Sequence, residues 1–296
     1  MTEVRDQFDS PWKDILEAYF QDFLQFFFPQ IHAEVDWSRG YEFLDTELQQ
    51  VVRDAQLGKR LADKLVKVWK LNGEETWVLI HIEIQSQEES HFSERMFVYY
   101  YRLRDRYHRP VVSLAILGDD RETWRPQPWQ DELWGCRVRF EFPIIKLLDY
   151  RTRWEELEAS RNPFAIAVMA HLKTKETQNN ASARKEWKFR LTRRLYEQGY
   201  EREDILNLFR FIDWILELPT GLKQAFRDEL EQYERERQMP YVTSIEQMGI
   251  EKGREEEREA IALKMLQENI PLDVVARITE LSLDKIQQLR ASSQNN

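Results

Sequence analysis

Two carboxylates stand symmetrically about a turn. Asp63 lies ten residues before Gly73, and Glu83 ten after it. Asn72-Gly73 is a strong hairpin signal between two extended segments, 61–69 and 76–85. In a hairpin centred on Gly73 the two carboxylates are direct cross-strand neighbours, with Cβ atoms about 5 Å apart. Like charges so placed repel each other. A divalent cation between them removes the repulsion and uses both as hard oxygen ligands. Water or salt screening relieves the same pair, and a one-residue slip in register sends the two to opposite faces.

The second segment alternates. Val78, Ile80, Ile82 and Ile84 fall on one face, and His81, Glu83 and Gln85 on the other. A half-exposed strand with its polar face in water has the same pattern. The Gln85 amide is able to orient a phosphate or a water beside Glu83. His81 is either a further ligand or a satisfied structural histidine. Glu47 falls on a helix expected over Tyr41–Asp54, beside a buried line of Phe43, Leu44, Leu48 and Val51. From there it is within reach of the same ion.

The elements around these residues follow from periodicity. Ser10-Pro11 starts a helix whose aromatic stripe runs from Trp12 to Phe27 and stops at Pro29. A helix carries Met96, Tyr99, Tyr100 and Leu103. Val111–Leu117 and Arg137–Phe142 read as buried strands. Two helices, two strands, a helix and two strands predict an α/β fold, a mixed sheet flanked by helices. Beyond Asp149 the pattern is helical, broken at Asn162-Pro163, Gly199, Pro219 and Pro240. The expected organisation is a core over 1–155, a helical extension over 156–235, a Glu/Arg-rich linker helix over 236–258 and a small three-helix unit over 259–296.

Bulk properties narrow the function classes. A net charge of -10 is the wrong sign for a surface that binds nucleic acid everywhere, but it leaves room for a local basic groove. One cysteine, Cys136, permits neither an internal disulfide nor a cysteine-based zinc site, and it fits a reducing cytoplasm. No apolar run reaches the ~18 residues of a membrane helix, and the N-terminus is not a signal peptide.

Helix-borne Glu47, then Asp63, then Glu83-Ile84-Gln85 resembles the PD-(D/E)XK nuclease superfamily. More closely, YEFLDTELQQ, ADKLVKV, WVLIHIEIQSQ, Phe92–Tyr101 and FPIIKLLDY resemble the Rpn group of recombination-promoting nucleases and transposase-like proteins, over about residues 35–155. The resemblance implies a restriction-endonuclease-like core and a metal-dependent DNA endonuclease. In it, Asp63 and Glu83 would bind Mg²⁺ and Glu47 would match the helical acidic position. The chain departs from the superfamily at Gln85, where Lys is usual. Lys64 falls on the opposite strand face, and Arg95 on the following helix is the best substitute charge. A surface salt bridge is the other reading of Arg95.

Two regions qualify as basic patches. Arg184, Lys185, Lys188, Arg190, Arg193 and Arg194 share a helix with Trp187 and Phe189, as a phosphate-binding face or as a solvated amphipathic surface. Arg137, Arg139, Arg151 and Arg153 make a weaker second patch. The C-terminal unit resembles a small helix-turn-helix offering Lys285, Gln287, Gln288 and Arg290, suited to DNA contact or to packing. The Glu-rich helix permits a homodimer. Two function classes therefore stand open: a Mg²⁺-dependent DNA endonuclease, and a catalytically silent DNA-binding or interaction protein that keeps the nuclease fold.

Overall fold

A computed structural model describes residues 10–54, 62–83, 91–239 and 241–242, together with Ala262, Met265, Leu266, Val275, Ile278, Thr279 and Ile286; for residues 10, 52–54, 62–63 and 80–83 it describes the backbone alone. The N-terminal aromatic stripe folds as α1 (Ser10–Ala18), α2 (Phe20–Phe27) and α3 (Pro29–Glu34). The single helix expected up to Pro29 is interrupted at Tyr19, whose backbone leaves the helical region at φ −134° and ψ 42°. The Tyr19 hydroxyl donates to Asp204 at 2.8 Å. Pro29 ends α2 and occupies the first turn of α3, where its missing N–H costs nothing.

β1 (Glu42–Phe43) and α4 (Asp45–Asp54) replace the one helix expected over Tyr41–Asp54. Glu42 and Phe43 pair antiparallel with Lys67 and Val66, so the backbone there is extended. The helix starts only at Asp45, with Asp45 and Glu47 favourably placed in its positively polarised first turn. β2 (Ala62–Trp69) and β3 (Glu75–Glu83) form the expected hairpin, followed by α5 (Phe92–Tyr107) and β4 (Val111–Leu117). Next come β5 (Trp129–Leu133), β6 (Cys136–Phe140) and β7 (Ile144–Lys146).

The sheet is mixed and five-stranded, in the order β1-β2-β3-β4-β7. β1, β2 and β3 are antiparallel neighbours; β3, β4 and β7 run parallel. Parallel neighbours need a crossover, and α5 supplies it between β3 and β4. Leu65, Trp77, Leu79 and Val111 pack under Leu44, under Leu48 and Val51 of α4, and under Tyr99 and Leu103 of α5. Val66 and Val78, on the other face, are equally buried. β3 is therefore covered on both faces at 77–79, unlike a strand with one face in water. The segment expected as a buried strand over Arg137–Phe142 is instead β6, whose residues 136–139 are exposed in a separate two-stranded hairpin with β5. The strand that extends the main sheet is β7.

Helices α6 (Trp154–Ala159), α7 (Pro163–Glu176), α8 (Ala181–Glu197), α9 (Arg202–Ile215) and α10 (Thr220–Arg237) follow a 3-10 segment, Leu147–Arg153. Asn162 caps α7, its side chain accepting from Phe164 N at 2.9 Å. Pro163 to Leu172 are all buried, as in a helix surrounded by others. Trp12 of α1 meets Phe211 of α9 edge-on, and Phe23 of α2 meets Phe164 of α7. Aromatic contacts of this kind join the N-terminal helices to the later ones, so no unit boundary falls at 155. Residues 1–226 form one compact unit and 227–296 a second. In the second, Ala262, Val275 and Ile286 share a small apolar cluster, one residue from each expected helix. The expected contact residues Lys285, Gln287, Gln288 and Arg290, and most of the Glu/Arg-rich segment over 236–258, lie outside the described residues.

Candidate metal centre

The hairpin register decides which residues meet. Asp63 pairs with His81, not with Glu83, and Ala62 pairs with Ile82. The loop explains the difference. Lys70 N donates to Glu74 O at 2.8 Å, and Gly73 N to Lys70 O at 2.8 Å, leaving a three-residue loop of Leu71, Asn72 and Gly73. Gly73 has φ +87° and takes the left-handed position that closes such loops. The hairpin is thus centred on Asn72 rather than Gly73. Moving the centre by one residue shifts pairing by two, so side-chain parity is preserved. Asp63, His81 and Glu83 hold positions on one sheet face, with Glu83 diagonal to Asp63.

That face is the one covered by α4 and α5, because Leu65, Trp77 and Leu79 share its parity. Leu44 N donates to Leu65 O at 2.7 Å, which pins the start of α4 over β2. Glu47 follows in the first turn, half-buried beside Leu48, as expected. The backbone therefore sets the helix bearing Glu47 on the same sheet face as the strand positions of Asp63, His81 and Glu83. The side chains of those three strand residues, and all of Gln85, lie outside the described set. Among the described residues, no group of three or more His, Cys, Asp or Glu is placed to hold a metal.

The cationic candidates have separate fates. Lys64 is buried on the opposite face and bound to Asp45 at 2.7 Å and Glu17 at 3.3 Å. Arg95 is buried, its guanidinium 5.5 Å from the centre of the Phe92 ring, so the surface reading does not hold. Leu117, the direct partner of Glu83, packs in one cluster with Phe92 and Met96. Arg95 adjoins Met96, so it sits on α5 at the level of Glu83.

Sequence reasoning missed Lys146 except as one letter of a motif. It pairs with Leu117, two strands from Glu83 at the same level. Its ammonium is fully buried and donates to both Asp119 oxygens, at 2.7 and 2.6 Å, and to Trp124 O at 3.1 Å. Its charge is thus committed to holding the loop after β4.

The basic helix α8 is mostly wired inward. Lys188, expected on a nucleic-acid face, is 3% exposed and binds Asp213 at 2.5 Å and the carbonyls of Asp213 and Leu216. A charge so enclosed cannot touch a phosphate. Arg184 donates to the carbonyls of Thr174, Thr177 and Glu217. Arg194 donates to Glu158 O. Arg190 pairs with Glu158 at 2.9 Å and Arg193 with Glu197 at 3.2 Å, both in exposed pairs of the kind that contribute little and exchange readily. In the weaker patch Arg137 pairs with Glu132, Arg139 with Glu141, and Arg153 with Glu156.

No family model, no curated protein and no solved structure matches the chain. Among the described residues no helix is long and apolar enough to cross a membrane.

Proposed function

We propose that this chain is a Mg²⁺-dependent DNA endonuclease with a PD-(D/E)XK-type core, of the recombination- or transposition-associated Rpn kind, acting in the cytoplasm. One observation carries the reading: Asp63 and Glu83 hold same-face positions on adjacent strands, on the sheet face that α5 and α4, the helix bearing Glu47, pack against. Diagonal neighbours stand about 7–8 Å apart at Cα. Two carboxylates reaching toward each other cover that gap, since an ion with bonds of about 2.1 Å joins oxygens up to about 4 Å apart. The spacing of the two strand positions is compatible with a shared divalent ion.

When bound, such an ion would supply Lewis acidity toward water and the scissile phosphate. Asp63 and Glu83 would hold it, and Glu47 would accept hydrogen bonds from water around it. His81, directly opposite Asp63, is positioned to orient that carboxylate. Gln85 would align the phosphate through its amide, without the charge a Lys brings. Arg95, buried on α5, is the candidate source of that charge. Arg190 and Arg193 are α8 residues able to meet a DNA backbone, because their pairs are exposed.

The Gln85 substitution and the net charge of -10 favour a second reading, a silent DNA-binding or interaction protein on the same fold. Incubation with supercoiled plasmid and Mg²⁺ or Mn²⁺ separates the two. The endonuclease reading expects nicking or linearisation by the wild type and a loss of at least about 100-fold in Asp63→Ala. DNA binding without cleavage in any divalent metal would leave the silent reading. Equal cleavage by Asp63→Ala would remove the site.

A further inference from the structure

One face of α8 borders a small cavity. Arg190, Arg193, Arg194 and Glu197 follow the i, i+3, i+4, i+7 spacing that places residues on a single helix face. With Glu158 of α6 and the buried Met169 of α7 they line a cavity of about 140 Å³. All three helices belong to the unit 1–226, so its walls come from one packed body.

The lining is rich in donors. A guanidinium donates through every nitrogen and accepts nothing. Arg190 donates to Glu158 Oε1 at 2.9 Å, Arg194 donates to Glu158 O, and Arg193 pairs with Glu197 at 3.2 Å. These contacts leave Arg194 Nε buried and without an acceptor among the described residues. Such a donor is costly to leave unmet. Three cations against two carboxylates also give the lining a net charge of +1. Water answers this poorly, because a water that accepts one N–H brings two donors of its own. An oxyanion brings acceptors only, together with the missing negative charge.

Size and valence narrow the anion. At about 30 Å³ per water the cavity holds roughly four or five oxygen-sized atoms, the bulk of one phosphate group. A phosphate monoester presents three acceptor oxygens to the three guanidiniums, whereas a carboxylate presents two. An internal phosphodiester carries a nucleoside on each side, which so small a cavity does not admit. The arginines are ready for such a ligand. The Arg190 guanidinium stands 4.6 Å from the centre of the Trp187 ring, which restrains it. The pairs to Glu158 and Glu197 are exposed and yield to stronger charge-assisted bonds. We infer that the α8 cavity binds the terminal phosphate of a phosphate monoester, held by Arg190, Arg193 and Arg194. It uses none of the residues of the Asp63–Glu83 centre, so it stands whether or not that centre cuts DNA.

Calorimetric titration of the full chain with inorganic phosphate, in EDTA, tests this with two variants. The wild type is expected to show one site per chain, and Arg193→Gln to weaken it at least tenfold. Glu197→Gln removes the carboxylate that competes for Arg193 and is expected to tighten binding at least threefold. That gain separates a site in the cavity from a mere loss of folding. Fluorescence anisotropy with a single-stranded oligonucleotide bearing a 5′-phosphate or a 5′-hydroxyl tells the sources of the phosphate apart. A strand end as the source predicts at least tenfold tighter binding of the phosphorylated strand, lost in Arg193→Gln. Free phosphate as the source predicts equal binding of both strands beside saturable binding of inorganic phosphate. A wild type that binds no phosphate and does not distinguish the strands overturns the proposal. So does phosphate binding that neither substitution changes.

Discussion

Asp63 lies directly opposite His81 in the β2–β3 ladder, and this makes the histidine the nearest same-face neighbour of the candidate metal ligand. Glu83 comes next along the same face. In the proposed site the two carboxylates would share one ion without being direct partners, with His81 as the group that orients Asp63.

His81 is therefore expected to matter through Asp63. His81→Ala should raise the Mn²⁺ or Mg²⁺ concentration needed for half-maximal activity by about 10–100-fold, the range seen when groups behind a metal ligand are removed. The maximal rate at saturating metal should fall much less. A rate lost equally at all metal concentrations would make His81 a reacting group instead.

The α8 cations should separate by burial. Lys188→Ala removes an ammonium enclosed by Asp213 and two carbonyls, leaving buried acceptors unmet. Thermal unfolding should report a loss of about 1–3 kcal/mol, with DNA affinity of the folded protein unchanged. Arg190→Ala should do the reverse, leaving stability intact while lowering affinity and reducing the salt slope by about one. Fluorescence anisotropy with a DNA duplex at several salt concentrations checks both.

The Asp119–Lys146 pair is fully buried, and the ammonium donates to both carboxylate oxygens. Lys146→Met alone strands a buried carboxylate and should cost about 3–5 kcal/mol in chemical denaturation. The double variant Asp119→Leu/Lys146→Met should recover most of that loss. Independent, additive losses would contradict a coupled pair.

His171 gives the fold an acid limit. Burial pushes its pKa down to about 3, helped by the charge of Lys175 and opposed by a hydrogen bond with the Gly118 backbone. The unfolded chain takes up a proton near the ordinary value of about 6.5, whereas the folded chain stays neutral until about 3. The stabilisation is complete above pH 6.5 and is lost progressively as pH falls toward 3. His171→Phe should flatten stability between pH 6.5 and 4 in urea titrations. An unchanged pH slope would place the acid sensitivity elsewhere.

Much of this architecture is legible in the residues. Alternation in Val78–Glu83 and the Asn72-Gly73 turn predict the hairpin, and the stripe Met96, Tyr99, Tyr100 and Leu103 predicts α5. The register is not legible to one residue, because Asn-Gly serves loops of two and of three residues. Only the Lys70–Glu74 closure selects three, and that choice gives Asp63 a histidine partner. β5 escapes notice because Trp134-Gly135 is not a usual turn pair and Gln130, Asp131 and Glu132 break its apolar alternation. Lys188 looks like a surface charge because spacing cannot tell that Asp213 and Phe226 close over it.

The central claim is that Asp63 and Glu83 together hold one divalent ion, and calorimetric titration of the purified chain with Mn²⁺ in the absence of DNA tests it most directly. One site per chain is predicted for the wild type, with affinity reduced at least tenfold in Asp63→Asn and in Glu83→Gln and little further in the double variant. Binding that survives both substitutions, or no binding by the wild type, would contradict it.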